Sequence, residues 1–171
     1  IGFLSTRFEL DAFWRGWAAS SALVGCIAGA CCAGWISDRF GRRTALQLSA
    51  ILFTVSAIGS AIPRNLSEFA IYRIVGGVGV GMASMLSPLY IAEVAPAAIR
   101  GRLVTLNQFA IVFGMLVVYF VNAIVASMGD ETWNVAMGWR WMFGSETLPA
   151  VFFLIFLFFV PESPRWLTKQ N

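Results

Sequence analysis

The chain has 171 residues, 58% of them hydrophobic and 12% charged, with a net charge of +3 and no histidine. Soluble domains carry about 25% charged residues, so half that share is a membrane composition. A small, dispersed positive charge gives no footing for nucleic acid, and the lack of His removes the commonest general base and metal ligand.

In chain order, residues 1–15 mix Arg7, Glu9, Asp11 and Arg15 with aromatics and read as a loop approaching a membrane surface. The start at Ile1 and the polar end Lys169-Gln170-Asn171 read as those of a fragment without a signal peptide. Gly16 to Ile36 is uncharged over 21 residues. At about 1.5 Å rise per residue it crosses a hydrocarbon core of roughly 30 Å, which predicts a first span over about 16–37. Cys26, Cys31 and Cys32 all lie in it and read as small apolar residues, with no disulfide or metal spacing. Gly25-x3-Gly29-x3-Ala33 forms a small-residue stripe that lets another helix approach closely.

Gly34 to Arg43 then places Asp38, Arg39, Arg42 and Arg43 between two apolar runs. Lys and Arg beside span ends resist translocation, so this tight turn is expected on the cytoplasmic side. Gly41 can adopt a positive φ at the reversal, and Asp38 can cap or pair with a helix end. A second span covers about 44–62, and Pro63-Arg64-Asn65 breaks it on the far side.

The third span, about 66–92, carries Gly76, Gly77, Gly79 and Gly81, with Pro88 near its inner end. The glycines lack the strand and the Lys-Ser/Thr ending of a phosphate loop, so close helix packing is the better account. Arg73 shares a helical face with Gly77, Val80, Ser84 and Ser87. A charge at mid-bilayer costs about 2.5–3.5 kcal/mol on insertion scales, so it faces protein or water, or snorkels to the nearby surface.

Glu93 to Arg102 forms the next inner loop, and a fourth span covers about 103–127. Along one face it sets Thr105, Gln108, Met115, Tyr119 and Asn122, opposite Leu, Phe, Val and Ile. Uncharged amides and hydroxyls suit a neutral polyhydroxylated ligand; the alternative is that they join helices. Residues 129–138 read as an outer loop, and Trp139-Arg140-Trp141 as a surface segment before a fifth span, about 142–160. All seven tryptophans fall near predicted span ends, as interfacial anchoring expects.

The inner segments hold seven bases against three acids, Asp38, Glu93 and Glu162. The outer ones hold four bases against six acids, Glu146 among them. The amino end is therefore expected outside and the carboxyl end inside. Three inner clusters, Asp38/Arg42/Arg43, Glu93/Arg100 and Glu162/Arg165, pair acid with base at helix ends and could latch one conformation.

Taken together these motifs resemble the sugar porter family of the major facilitator superfamily, over essentially the whole chain. Gly34-x3-Asp38-x2-Gly41-Arg42-Arg43 matches the loop after transmembrane helix 2, and Arg73-x2-Gly76-Gly77-x-Gly79-x-Gly81 matches helix 4. Pro88-x-Tyr90-x2-Glu93-x2-Pro96-x3-Arg100-Gly101-x-Leu103 matches the following loop. Gln108 is similar to the helix 5 glutamine, Gly138-Trp139-Arg140 to the entry of helix 6, and Pro161-Glu162-Ser163-Pro164-Arg165-Trp166-Leu167 to its exit. Within the family, Asn107-Gln108-Phe109-Ala110-Ile111 and Val121-Asn122 look most like the bacterial xylose–proton symport branch. Met115 departs from it, standing where that branch has another amide.

The resemblance implies an all-α membrane fold: helices 2–6 of a twelve-helix protein, residues 1–171 being a partial amino-terminal transmembrane domain. Helix 1 and the carboxyl-terminal half would be absent partners. It implies a multi-pass transporter in a plasma or bacterial inner membrane, moving a hexose or pentose by alternating access, with or without a coupled proton. Gln108, Met115 and Asn122 would face the sugar, and Arg73 would meet a helix 1 carboxylate in proton coupling. Asp38, Arg42, Arg43, Glu93, Arg100, Glu162 and Arg165 would form an inner-face charge network in the outward-open state. No cofactor, metal or nucleic acid is called for. The competing readings are an uncoupled facilitator, a sugar-sensing receptor on the same fold, and a membrane enzyme. The last lacks any nucleophile–base set or intramembrane acid pair.

Overall fold

The computed structural model describes residues 2–8 and 10–170. Glu9, counted above with the outer acids, and the terminal Ile1 and Asn171 lie outside the described residues. The described residues form helices and no strand: α1 (Gly2–Arg7), α2 (Ala12–Phe40), α3 (Arg42–Ala61), α4 (Leu66–Val94), α5 (Arg100–Ser127), α6 (Glu131–Phe159) and α7 (Pro164–Gln170). Helices α2 to α6 are the five that are long and apolar enough to cross a membrane. They overrun the predicted spans at most ends, because the polar flanks continue the helix instead of unwinding at the bilayer edge.

Helix α4 lies at the centre, and α2 and α3 make their most extensive packing against it. The α2–α4 contact works because each helix offers glycine to the other's backbone. A Cβ at Gly25 or Gly29 would strike the carbonyl of Ile74 or Val78, and one at Gly77 or Gly81 would strike that of Ala22 or Cys26. Lipid gives helices no hydrophobic reason to associate, so this close van der Waals fit drives their pairing. Ser21, Ser37 and Ser49 are buried yet donate to carbonyls of their own helices, which keeps these faces small and satisfied.

A cluster of Ala33, Ala45, Leu46, Ala50, Met82, Leu86 and Leu157 fills the half nearer the Arg-rich turn, here the basic end. Ala18, Phe69 and Trp139 anchor a second cluster at the opposite end. Trp139 thus departs from the surface position expected of it. It is 2% exposed, its ring meets Phe8 edge-on, and the Arg140 guanidinium covers it at 5.0 Å. Two predicted loops are helical as well. Residues 1–15 contain α1 and the start of α2, and residues 131–138 open α6 with a π-helical turn over Asn134–Gly138. Asn134 Nδ2 donates to the carbonyls of Ala126 and Gly129, so this turn caps the end of α5 while starting α6. The polar and glycine-rich composition that suggested a loop is what serves that cap.

Candidate functional site

At the basic end α2 turns into α3 through Gly41 alone, at φ 98° and ψ 154°. The sharp reversal aims Arg42 inward, where it is 9% exposed. Its Nη1 donates to Asp38 Oδ1 at 2.8 Å and to the Ser37 carbonyl at 3.1 Å. Its Nε and Nη2 grip Glu93, at the end of α4, through both carboxylate oxygens at 3.2 Å. Only a planar guanidinium offers this fork, and Glu93, with a 3% exposed side chain, needs such a partner. The buried Ser163 hydroxyl donates to the same carboxylate. Ser163 stands just before α7, where serine commonly caps a helix; here its carbonyl takes the first backbone bonds and its hydroxyl goes to Glu93.

Glu162 does not pair with Arg165. It accepts the backbone N–H of Arg43 at 3.0 and 3.2 Å and that of Ser163 at 2.9 Å, placing a negative charge on the positive end of α3. The Arg43 side chain reaches the other way, donating to the carbonyls of Leu157 and Phe158 at the end of α6. Tyr90 Oη donates to the Pro161 carbonyl and Trp166 Nε1 to that of Asp38, so α4 and α7 join the same assembly. Arg100 donates to the nearby Ala95 carbonyl, and among the described residues neither it nor Arg165 forms an ion pair. Asp38 thus pairs with Arg42 inside its own turn as expected, whereas Glu93 and Glu162, expected to pair with Arg100 and Arg165, are engaged by the α2–α3 turn instead.

Arg73 lies about two turns into α4 with its guanidinium over Phe143, 5.8 Å from the ring centroid, and its buried Nε donates no hydrogen bond. It lines a cavity of about 260 Å³ with Ser56, Cys26, Gly76, Gly77 and Glu146. Glu146 was counted among the outer acids; it instead lies inside α6, facing the same cavity as Arg73, without an ion pair between them. An isolated carboxylate within an apolar run, matched to an isolated arginine in another, was the signal available in the sequence.

The α5 stripe is an open face. Gln108, Thr105, Met115 and Tyr119 are exposed and Asn122 is half-buried; Thr105 spends its hydroxyl on the Gly101 carbonyl. A roomier cavity, about 610 Å³ between α5 and α6, is lined by Val125, Met128, Trp133, Trp141 and Leu148 and offers little but apolar surface. The polar groups suited to a neutral ligand stand on the open face, not in that cavity.

Comparison with known proteins fits this geometry. Residues 5–171 match the family model described as sugar (and other) transporter. The D-xylose-proton symporter of Escherichia coli (strain K12) is 52% identical over 91% of this chain and 35% of its own length. The arabinose-proton symporter of Bacillus subtilis (strain 168) is 46% identical over 100% of this chain and 37% of its own. The solved structure of the major facilitator superfamily proton:xylose symporter XylE bound to 6-bromo-6-deoxy-D-glucose superposes with a TM-score of 0.95. It is 47% identical, covering 99% of this chain and 41% of that one. The chain thus spans little more than a third of these curated relatives, and it is multi-pass and integral to the membrane. By family model, sequence and fold, it belongs to the sugar (and other) transporter family, as a partial amino-terminal portion of the major facilitator fold.

Proposed function

We propose that this chain forms one wall of a secondary transporter, not an enzyme, that moves a monosaccharide, hexose or pentose, by alternating access coupled to protons. The observation that carries the reading is the uncharged polar stripe of α5, open on one side of a bundle whose relatives are named as xylose, arabinose and galactose symporters. Gln108 is the main sugar contact, with Met115 and Asn122 on the same face. A sugar hydroxyl both donates and accepts, and an amide answers both.

The cavity shared by Arg73 and Glu146 supports the proton coupling. A carboxylate inside a membrane span changes its charge at a cost set by its neighbours, and a guanidinium lining the same cavity is such a neighbour. The network of Asp38, Arg42, Arg43, Glu93 and Glu162, with Arg100 and Arg165 at its edge, is the latch of the state closed at the basic end. It joins the ends of α2, α3, α4 and α6, so opening there must break it.

Gln108→Ala in the complete gene product tests the sugar contact. An unpaired buried hydroxyl costs about 1–3 kcal/mol, so sugar affinity should fall about five- to 150-fold with the melting temperature unchanged. Parental affinity in a destabilised variant would make Gln108 a helix-joining residue and defeat the assignment.

A further inference from the structure

Helix α5 is held in an unusual way. Its 28 residues include a single buried one, Val125. Partly buried positions fall only at its two ends: Leu103, Val104 and Asn107 near the basic end, then Val121, Asn122 and Ala126 near the other. Residues 108–120 are exposed throughout, and an added Cβ at Gly114 would meet nothing within 4 Å. Within this chain, no packing along the middle of α5 fixes its roll about its own axis.

Among the described residues, two side-chain hydrogen bonds tie α5 to other helices. At the far end Asn134 Nδ2 holds the Ala126 carbonyl, at 2.9 Å. That bond grips backbone and sets where the helix ends, not which face it turns. At the basic end Ser87 Oγ of α4 donates to Asn107 Oδ1, also at 2.9 Å. This one grips a side chain, so it pins the face at the end of α5 that has no fully buried residue. Asn107 adjoins Gln108, about 100° round the helix at 3.6 residues per turn. Held against α4, it turns Gln108 to the open side.

We propose that Ser87 and Asn107 form a positioning clamp that sets the roll of α5 and thereby aims Gln108 at the sugar; the second part rests on the sugar-transport reading above. The leverage is large. A roll of about 20° moves an amide at a radius of about 6 Å by about 2 Å, enough to lose a hydrogen bond. Ser87 also precedes Pro88, which lacks an N–H, so α4 needs outside support at this turn.

The test uses the complete gene product in a cysteine-free background, spin-labelled at Met85 of α4 and Val112 of α5, both more than half exposed. Ser87→Ala and Asn107→Ala should each shift or broaden the distance between labels, and Ser87→Thr, which keeps the hydroxyl, should restore it. Each Ala variant should weaken sugar binding about three- to tenfold, the range of interhelical hydrogen bonds in membranes, with kcat within about twofold. The double variant should be no worse than either single one. Unchanged label distances in both Ala variants would overturn the clamp, and multiplying effects would show that the residues do not act as a pair. Shifted distances with parental affinity, where Gln108→Ala does weaken binding, would overturn the aiming of Gln108. If Gln108→Ala itself leaves affinity intact, the assignment of Gln108 as the sugar contact fails, and the label distances alone decide the clamp.

Discussion

Replacing Gly41 by Ala should be among the most damaging single-methyl additions in this chain, for two separable reasons. At φ 98° and ψ 154° the residue sits where essentially only glycine is comfortable, and an L side chain there costs about 1–3 kcal/mol. The added Cβ would also meet the Glu162 carboxylate, which now accepts the Arg43 N–H at 3.0 and 3.2 Å. Glu162 is flexible enough to swing away, but doing so forfeits a charged hydrogen bond worth about 1.5–3 kcal/mol. The expected loss is therefore about 2.5–6 kcal/mol, the lower end applying if Glu162 finds another donor. Equilibrium unfolding in mixed detergent micelles of the parent, Gly41→Ala, Glu162→Gln and the double variant measures it. The double variant should lose less than the two single losses combined, because the cap can be removed only once. Gly41→Ala within about 0.5 kcal/mol of the parent would refute the whole argument, a difference surface substitutions routinely show. Strict additivity would refute the part that runs through Glu162.

Arg42→Ala should cost about 3–5 kcal/mol by leaving the buried Glu93 unpaired, and should raise thiol-reagent access at the basic end. Arg42→Lys should recover only part, since an ammonium cannot fork; unchanged melting and access in Arg42→Ala would remove the latch. Gly77→Val should force α2 from α4 and yield aggregated protein on size-exclusion chromatography. Gly16→Ala, whose Cβ meets nothing, is the control that should elute as the parent does. Met115→Gln places an amide one heptad from Gln108 on the same face and should change affinity for at least one monosaccharide by about three- to tenfold. Identical binding curves for pentoses and hexoses would take Met115 off the contact face.

Much of the architecture was legible because membrane helices are written locally. The uncharged runs, the arginines beside them and Gly25-x3-Gly29-x3-Ala33 each act within a few turns of their own helix. Where local signals were mixed the reading slipped. Asn134 and Gly138 have loop chemistry, yet they cap α5 and open α6. Trp139 has the composition of an interfacial anchor, but it is buried in a cluster with Ala18 of α2, Phe69 of α4, Phe3 of α1 and Phe8.

What the sequence alone determined was which face of each helix is small, polar or charged, and which end of the bundle is basic. Periodicity supplies that, because a side chain's direction depends only on its place in the 3.6-residue turn. What it could not supply was the partner across the gap. Arg42 meets Glu93 from 51 residues away, and Glu162 caps Arg43 across 119. Glu146, read as an outer acid, shares a cavity with Arg73. Such pairings depend on which helices stack side by side and at what register. The glycine-to-backbone contact of α2 with α4 decides that, and only the folded chain displays it.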